Sequence, residues 1–396
     1  MKQFEKIILD DIKNGFSGAV LAIYKGTERL YLNAFGYKRR YSEKFEELEV
    51  ANRELMDVET LFDIASNSKI YGTTFALMKL AYEKKIDIER PISEYIKGFS
   101  MQGETPNIKE LLSHCSGFAP EIHFFDASIP EHLYSQERSR TLSILRTQLS
   151  ADYLKGTEHV YSDINFMLLG LLVEEVTGMT QDRYLEVNFF KPLGLKFTGY
   201  SPLKRGISPS KIAVTQADGN SCNNTQSFPN MRNYSLRGEV HDEKAFYSMD
   251  GVAGHAGIFT TILELEELVN ILYYKGSYKG ITFFNFETLT KFSHYNLGVD
   301  PSFGLGFRRG EGGGMRKFYG QNSSERAFGH TGFTGTLTLI DPENDIRIIY
   351  LSNRIHGPIT GRLEFMGRTM RSGLYGEIVD AIYDELLWKN KIETGL

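Results

Sequence analysis

Strand patterns stand at both ends of this 396-residue chain, and helical patterns fill the space between them. Near the start, "SGAVLAIYKGTERLYLNAFGYKRR" reads as two strands around a turn at Gly26, from its β-branched and aromatic content. Near the end, "GTLTLIDPENDIRIIYLSN" reads as a strand, a turn at Pro342-Glu343-Asn344 and a second strand. A sheet drawn from both ends must close around whatever lies between, and the length exceeds what one growing core supports. The expected class is therefore α+β, an α/β sandwich plus an all-α insertion. Residues 1–75 and 270–396 form the antiparallel sheet flanked by terminal helices, and 76–269 form a mostly helical inserted domain with a cleft between the two. Helical patterns are expected over residues 70–85, from "NIKELLSHCSGF" to "INFMLLGLLVEEVTGM" with Gly178 as C-cap, over "ILELEELVNILYY" and over the final "YGEIVDAIYDELLWKN". Residues 201–235, rich in Pro, Ser, Asn and Gly, read as loops.

Composition excludes several classes. A net charge of -5 with no Lys/Arg-rich run argues against a nucleic-acid partner. The two cysteines, Cys115 and Cys222, make no disulfide framework and no C-x-x-C. No apolar run approaches the ~18 residues of a membrane span. The N-terminus lacks an apolar signal core, so the chain as written is expected in the cytoplasm, or outside it if a leader has been removed.

The chemistry starts from "LFDIASNSKIYGTTFALMKLA", residues 61–81. Ser66 and Lys69 lie one helical turn apart at the head of a segment that otherwise reads as core. S-x-x-K alone is weak, since a chain this long should contain it about once by chance. It recurs at Ser201/Lys204 and Ser208/Lys211, both in "SPLKRGISPSK", where prolines and a glycine break any helix. A serine hydroxyl needs a neighbouring base, and a lysine among apolar neighbours can be neutral part of the time.

"FDIASNSK" resembles the stretch around the nucleophile in the serine β-lactamase and penicillin-binding-protein superfamily, in its class C β-lactamase-like branch. "IKELLSHCSGF", "YSDINFMLLGLLVEEVTG", "VAGHAGIFTT" and "FGHTGFTGTLTLIDPE" resemble four further segments of that branch, in the family's order. The resemblance implies a β-lactamase/transpeptidase-like fold and an acyl-enzyme on Ser66. Catalysis is implied at Ser66, Lys69 and Tyr161, with the backbone N–H groups of Ser66 and Phe333 as the oxyanion hole and no cofactor. Whether Lys69 or Tyr161 takes the serine proton stays open, as it does in the broader family. Asp163 stands where the family has Asn, and can pair with Lys69, accept from substrate, or cap the following helix. His330, Thr331 and Gly332 stand where Lys-Thr-Gly is usual, and His330 is expected to read a substrate carboxylate only when protonated. Gly332 is expected to let the strand approach the substrate.

Other motifs carry less. His241-Asp242 and His255 lack metal-ligand spacing and read as packing residues. His114 with Ser116 has no nucleophile elbow around it. "RRGEGGGMRK" lacks a P-loop lysine and reads as a mobile loop near the cleft. "GEVHDEKAFYSMDGVAGHAGIFTT" resembles the carboxypeptidase-like penicillin-binding proteins. The leading expectation is a D-alanyl-D-alanine carboxypeptidase-like serine hydrolase with slow β-lactam turnover. The alternatives are an esterase or amidase of the same fold, or a penicillin-binding sensor that does not turn over. The implied partner is a small-molecule or peptide substrate.

Overall fold

The computed structural model describes residues 1–219, 228–295, 297–357 and 375–394, and side chains as far as 386. In chain order the strands are β1 (Gly18–Lys25), β2 (Glu28–Arg39), β3 (Glu54–Leu55), β4 (Phe62–Asp63), β5 (Gly199–Tyr200), β6 (Ile258–Thr260), β7 (Ser277–Tyr278), β8 (Ile281–Thr282), β9 (Arg308–Arg309), β10 (Phe328–Gly332), β11 (Thr336–Asp341) and β12 (Ile346–Ser352). The helices are α1 (Gln3–Lys13), α2 (Phe75–Tyr82), α3 (Ile108–Leu112), α4 (Arg138–Thr147), α5 (Asp163–Thr177), α6 (Gln181–Leu185), α7 (Glu243–Met249), α8 (Ile262–Tyr273), α9 (Phe286–His294), α10 (Arg316–Tyr319) and α11 (Gly376–Thr394).

The main sheet runs β3-β2-β1-β12-β11-β10-β9, antiparallel throughout. Its centre is the pairing of the chain's two ends, with Ala19 opposite Ser352 and Lys25 opposite Ile346. Successive residues of a strand face opposite sides, and here both sides are covered. Ala19, Leu21 and Ile23 join a core with Phe4, Ile8, Val379 and Ile382 of the terminal helices α1 and α11. Val20, Ala22 and Tyr24 join the larger core with α2, α5 and α8. Two-sided burial explains why these strands read as continuous apolar runs instead of alternating ones.

Several expectations change in detail. Helix α8 packs on β1 and β12, so the chain re-enters the sheet layer at Ile262. The pattern from residue 107 to 179 is not continuous helix. The Asn107/Glu110 capping box starts a short α3, loops around α4 follow, and α5 ends at Gly178 in the left-handed conformation. Residues 70–85 are no single α-helix either, because Lys69–Thr74 wind as wide i→i+5 turns before α2. Instead of a loose loop, "RRGEGGGMRK" carries edge strand β9, paired with β10, and α10, packed on α11. Residues 220–227 of the loop-rich stretch, and Cys222 with them, lie outside the described residues.

Candidate active site

From Thr60 to Met78 every residue is buried except Ser66. Strand β4 leads into Ala65, whose φ of 45° is unusual for a side-chain-bearing residue, and the turn presents Ser66 to the cleft. Polar ties hold this turn. Asp63 accepts from the Ala65 N–H at 2.8 Å, Thr334 Oγ1 donates to the Asp63 carbonyl at 2.7 Å, and Thr336 Oγ1 donates to the Ile64 carbonyl at 3.0 Å. Asn67 bonds Thr336 and Thr338 of β11 at 3.0 and 2.9 Å. Gly332 belongs to the same packing. A Cβ there would come within 2.4 Å of the Ile64 carbonyl oxygen, so the glycine admits the nucleophile turn against β10 rather than only a substrate.

Lys69 is fully buried, and its ammonium faces three acceptors: Ser66 Oγ at 3.1 Å, Asp163 Oδ1 at 2.8 Å and the His255 carbonyl at 3.4 Å. The third contact depends on Gly254, which packs so closely on α5 that a Cβ would lie 1.8 Å from the Phe166 carbonyl oxygen. The expectation of a partly neutral lysine is corrected here. Burial works to strip the proton from Lys69, but the carboxylate of Asp163 and then Tyr161 outweigh it, and the lysine is held above its ordinary range. The resting site is a lysine–carboxylate ion pair.

Tyr161 lies just before α5, with the Lys69 ammonium 4.7 Å from its ring centroid and the His114 ring 4.5 Å away at a tilt of 31°. His114 Nδ1 accepts from the Ser162 N–H at 3.0 Å, while Ser116 Oγ donates to Asn165 at 2.6 Å. These two residues serve different partners and form no serine–histidine pair. The N-cap of α5 is Ser162, not Asp163. Asp163 is therefore an ion-pair partner whose oxygens meet Lys69 and Lys244, not a cap.

His330 departs from expectation most. It is buried, burial followed by the charge of Lys69 lowers its pKa to about 3, and it is neutral across the working range. Its Nδ1 lies 2.6 Å from the Thr331 carbonyl, so Nδ1 carries the proton and Nε2 can only accept. A neutral acceptor cannot read a carboxylate. On the neighbouring strand stands a second cation besides Lys69, Arg308 of β9, opposite Gly329 in register, with its guanidinium 3.7 Å from the Phe303 ring centroid and bonded to Ser302. Phe333 follows β10 with its side chain 44% exposed at the cleft, its ring 5.6 Å from that of His241.

Behind Asp163 the charges continue. Lys244 reaches Glu121 at 2.9 Å, Asp242 at 3.1 Å and Asp163 at 3.3 Å, and His255 Nε2 lies 2.8 Å from Asp242. Asp163, Asp242 and His255 stand close enough together to ligate a cation, and the cation that two of them face is the Lys244 ammonium. His241 packs through Gln216 at 2.6 Å. The other two S-x-x-K serines lie elsewhere, Ser208 bonded to Ser210 and Ser201 against Gly251.

Thus a half-buried serine, an ion-paired lysine and a tyrosine meet where a helix start crosses a sheet edge. The family model described as Beta-lactamase matches residues 4–364. The chain belongs to the beta-lactamase family. This beta-lactamase-family chain is 40% identical to an N-acetylmuramyl-L-alanine amidase of Bacillus subtilis strain 168, over 98% of the chain and 89% of that protein. It is 37% identical, over 96% and 89%, to a Salmonella enteritidis protein named provisionally as a D-alanyl-D-alanine carboxypeptidase. Its fold matches EstCE1, a hydrolase with promiscuous acyltransferase activity, with a TM-score of 0.68, 21% identity and 96% and 97% of the two chains covered. It also matches a penicillin-binding-protein homologue from Caulobacter crescentus with a TM-score of 0.65, 18% identity and coverage of 96% and 97%. The superfamily, the carboxypeptidase-like branch and the fold inferred from the five segments all hold. The molecule is a serine hydrolase of the β-lactamase and penicillin-binding-protein family. Among its described residues no helix is long and apolar enough to cross a membrane.

Sequence reasoning missed Glu121 and Lys244, and it read Asp242 and His255 as packing residues where the structure makes them members of a charged cluster beside Lys69. Their separations in the chain follow no motif spacing. The threonines of "TGFTGTLT" were visible as strand formers but not as ties to the nucleophile turn.

Proposed function

We propose that this hydrolase cleaves an amide of an alanine-containing, wall-type peptide through an acyl-enzyme on Ser66. The observation that carries the reading is the proton geometry at Lys69. Two of the groups around it, Asp163 and the His255 carbonyl, only accept hydrogen bonds, so they hold two of its hydrogens in either charge state. The third position points at Ser66 Oγ. When the ammonium loses that proton to solvent, the lone pair faces the serine hydroxyl and can take its proton as Oγ attacks the carbonyl. The backbone N–H groups of Ser66 and Phe333 would receive the oxyanion, one such donor being worth about 3 kcal/mol. Tyr161, against Lys69, would pass the proton to the leaving amine, and water would then release the acyl group.

The relatives at 40% and 37% identity carry names that both concern amide bonds of alanine. The neutral, acceptor-only His330 favours the muramyl-L-alanine type of bond, whose scissile carbonyl has no free carboxylate beside the leaving amine. The D-alanyl-D-alanine reading keeps one observation in its favour, the Arg308 cation on the strand beside His330. The test is product analysis by mass spectrometry, after incubation with an N-acetylmuramyl-L-alanyl peptide and separately with a D-alanyl-D-alanine peptide. Release of a peptide beginning with L-alanine supports the first reading, and release of D-alanine the second. Inertness to both, with Ser66 still labelled by a fluorophosphonate, would overturn the substrate assignment while leaving the nucleophile in place.

A further inference from the structure

The acyl-enzyme chemistry above gives Lys244 no task, yet its position is costly. The side chain is 6% exposed, and its ammonium sits among Glu121, Asp242 and Asp163. Asp163 gives one oxygen to Lys69 at 2.8 Å and the other to Lys244 at 3.3 Å. We infer that Lys244 is a positioning residue for proton transfer at Ser66: by sharing the Asp163 carboxylate with Lys69, it loosens the hold of that carboxylate on the Lys69 proton. The inference rests on the Ser66–Lys69 reading.

The physical argument starts from what each charge does to its neighbour. A carboxylate bonded to a single buried ammonium favours the charged lysine, and so opposes formation of the free amine. A second ammonium on the opposite oxygen draws on the same negative charge and repels the first ammonium directly. Were Lys244 neutral, Glu121, Asp242 and Asp163 would remain as three carboxylates with Lys69 as the cation at their edge. The other groups around the cluster fit this assignment. His255 stands on the other oxygen of Asp242, and His123 pairs with Glu121 on the far side, with Glu243 contributing to its field. Facing Lys69 itself are Tyr161 and two imidazoles, His114 and His330, that burial keeps uncharged. Lys244 is thus the one cation of the cluster, among the described residues, that shares a carboxylate with Lys69.

The measurement is the rate of covalent labelling of Ser66 by a fluorophosphonate, which needs the nucleophile but no knowledge of the substrate. At pH 7.5, Lys244→Met should slow labelling by about tenfold, equivalent to one pK unit of tighter proton holding. Lys244→Arg should stay within about threefold of the unaltered protein. In an Asp163→Asn background the shared carboxylate is gone and only the direct repulsion between the two ammoniums remains, so adding Lys244→Met should slow labelling clearly less than it does alone. Glu121→Gln supplies the opposite sign at a partly exposed site that tolerates change. It leaves Lys244 less compensated, and labelling should rise about threefold. A lysine that only held the fold together would slow labelling equally in both backgrounds, and Glu121→Gln would never speed it. Either result overturns the proposal. If Lys244→Met does not fold, the sign of the Glu121→Gln effect decides. Failure of the unaltered protein to label at Ser66 would instead overturn the nucleophile reading, and this inference with it.

Discussion

At the scale of single residues, the site depends on which groups carry charge. Ser66→Ala should abolish fluorophosphonate labelling, whereas Ser201→Ala and Ser208→Ala should label normally, because neither serine has a buried lysine directed at it; intact-mass measurement checks all three. His330 yields a sharper expectation. With its pKa lowered to about 3 by burial, it does not titrate between pH 5 and 9. The kcat/KM profiles of a carboxylate-bearing peptide and an uncharged ester should therefore rise in parallel over that range, both governed by loss of the Lys69 proton. A separate acid limb for the peptide alone would show a charged His330. The sequence made Ser66, Lys69 and Tyr161 legible because they stand in ordered segments with helical spacing. It could not reveal the charge state of His330, which depends on burial supplied by strands and helices far away in the chain. Nor could it reveal that Asp163, one residue inside α5, would face two lysines.

At the scale of elements, close backbone contacts decide whether the machinery assembles. Gly254→Ala places a methyl group where the Phe166 carbonyl of α5 already lies. The connection from α7 to β6 must then move away from α5, taking the His255 carbonyl from Lys69. A destabilisation of about 3 kcal/mol is expected from such overpacking, read as a lowered Tm. Gly332→Ala meets the Ile64 carbonyl in the same way, and should reduce labelling of Ser66 more than it reduces Tm, since the turn it displaces carries the nucleophile. Equal losses of both would place the effect in the fold alone. The hairpins at the chain's two ends were legible from their apolar runs and turn residues. The wide turns of Lys69–Thr74 were not, because i→i+5 winding leaves no distinct periodicity in so short a segment. The interruptions between α3 and α5 were hidden by apolar residues that pack from loops, among them Phe118, Phe124 and Leu149.

At the scale of the whole molecule, buried imidazoles should make stability fall steeply in acid. His241, His330 and His356 each have a folded pKa of about 3, and His114 is also held well below its ordinary value, burial being the first cause in every case. The unfolded chain binds these protons near pH 6.5, so it is favoured as pH falls from there toward 3. Each group contributes up to about 1.4 kcal/mol per pH unit within that window. Asp63 works the other way, since burial raises its pKa to about 6 and the folded state takes up its proton first. His294 is lowered by burial in the same sense, while His123, raised by its bond to Glu121, joins Asp63 on the other side; the lowered histidines outnumber the opposing groups and leave a net loss. Urea midpoints measured at pH 7, 5.5 and 4.5 should fall progressively, and a flat series would mean that these histidines are solvated or charged in the native state.

The pairing of Ala19 with Ser352 also sets a timetable for birth on the ribosome. At roughly 5–20 residues per second, β1 emerges on the order of twenty seconds to a minute before the strand that completes it. For that interval the β1–β2 ribbon displays an open edge and two apolar faces, the kind of surface that invites wrong partners. Ser66 and Lys69 also emerge long before β10 (Phe328–Gly332) and β11 (Thr336–Asp341), which hold their turn in place. A nascent chain therefore carries its nucleophile long before it can use it, and hydrolysis waits for the strands that hold the nucleophile turn.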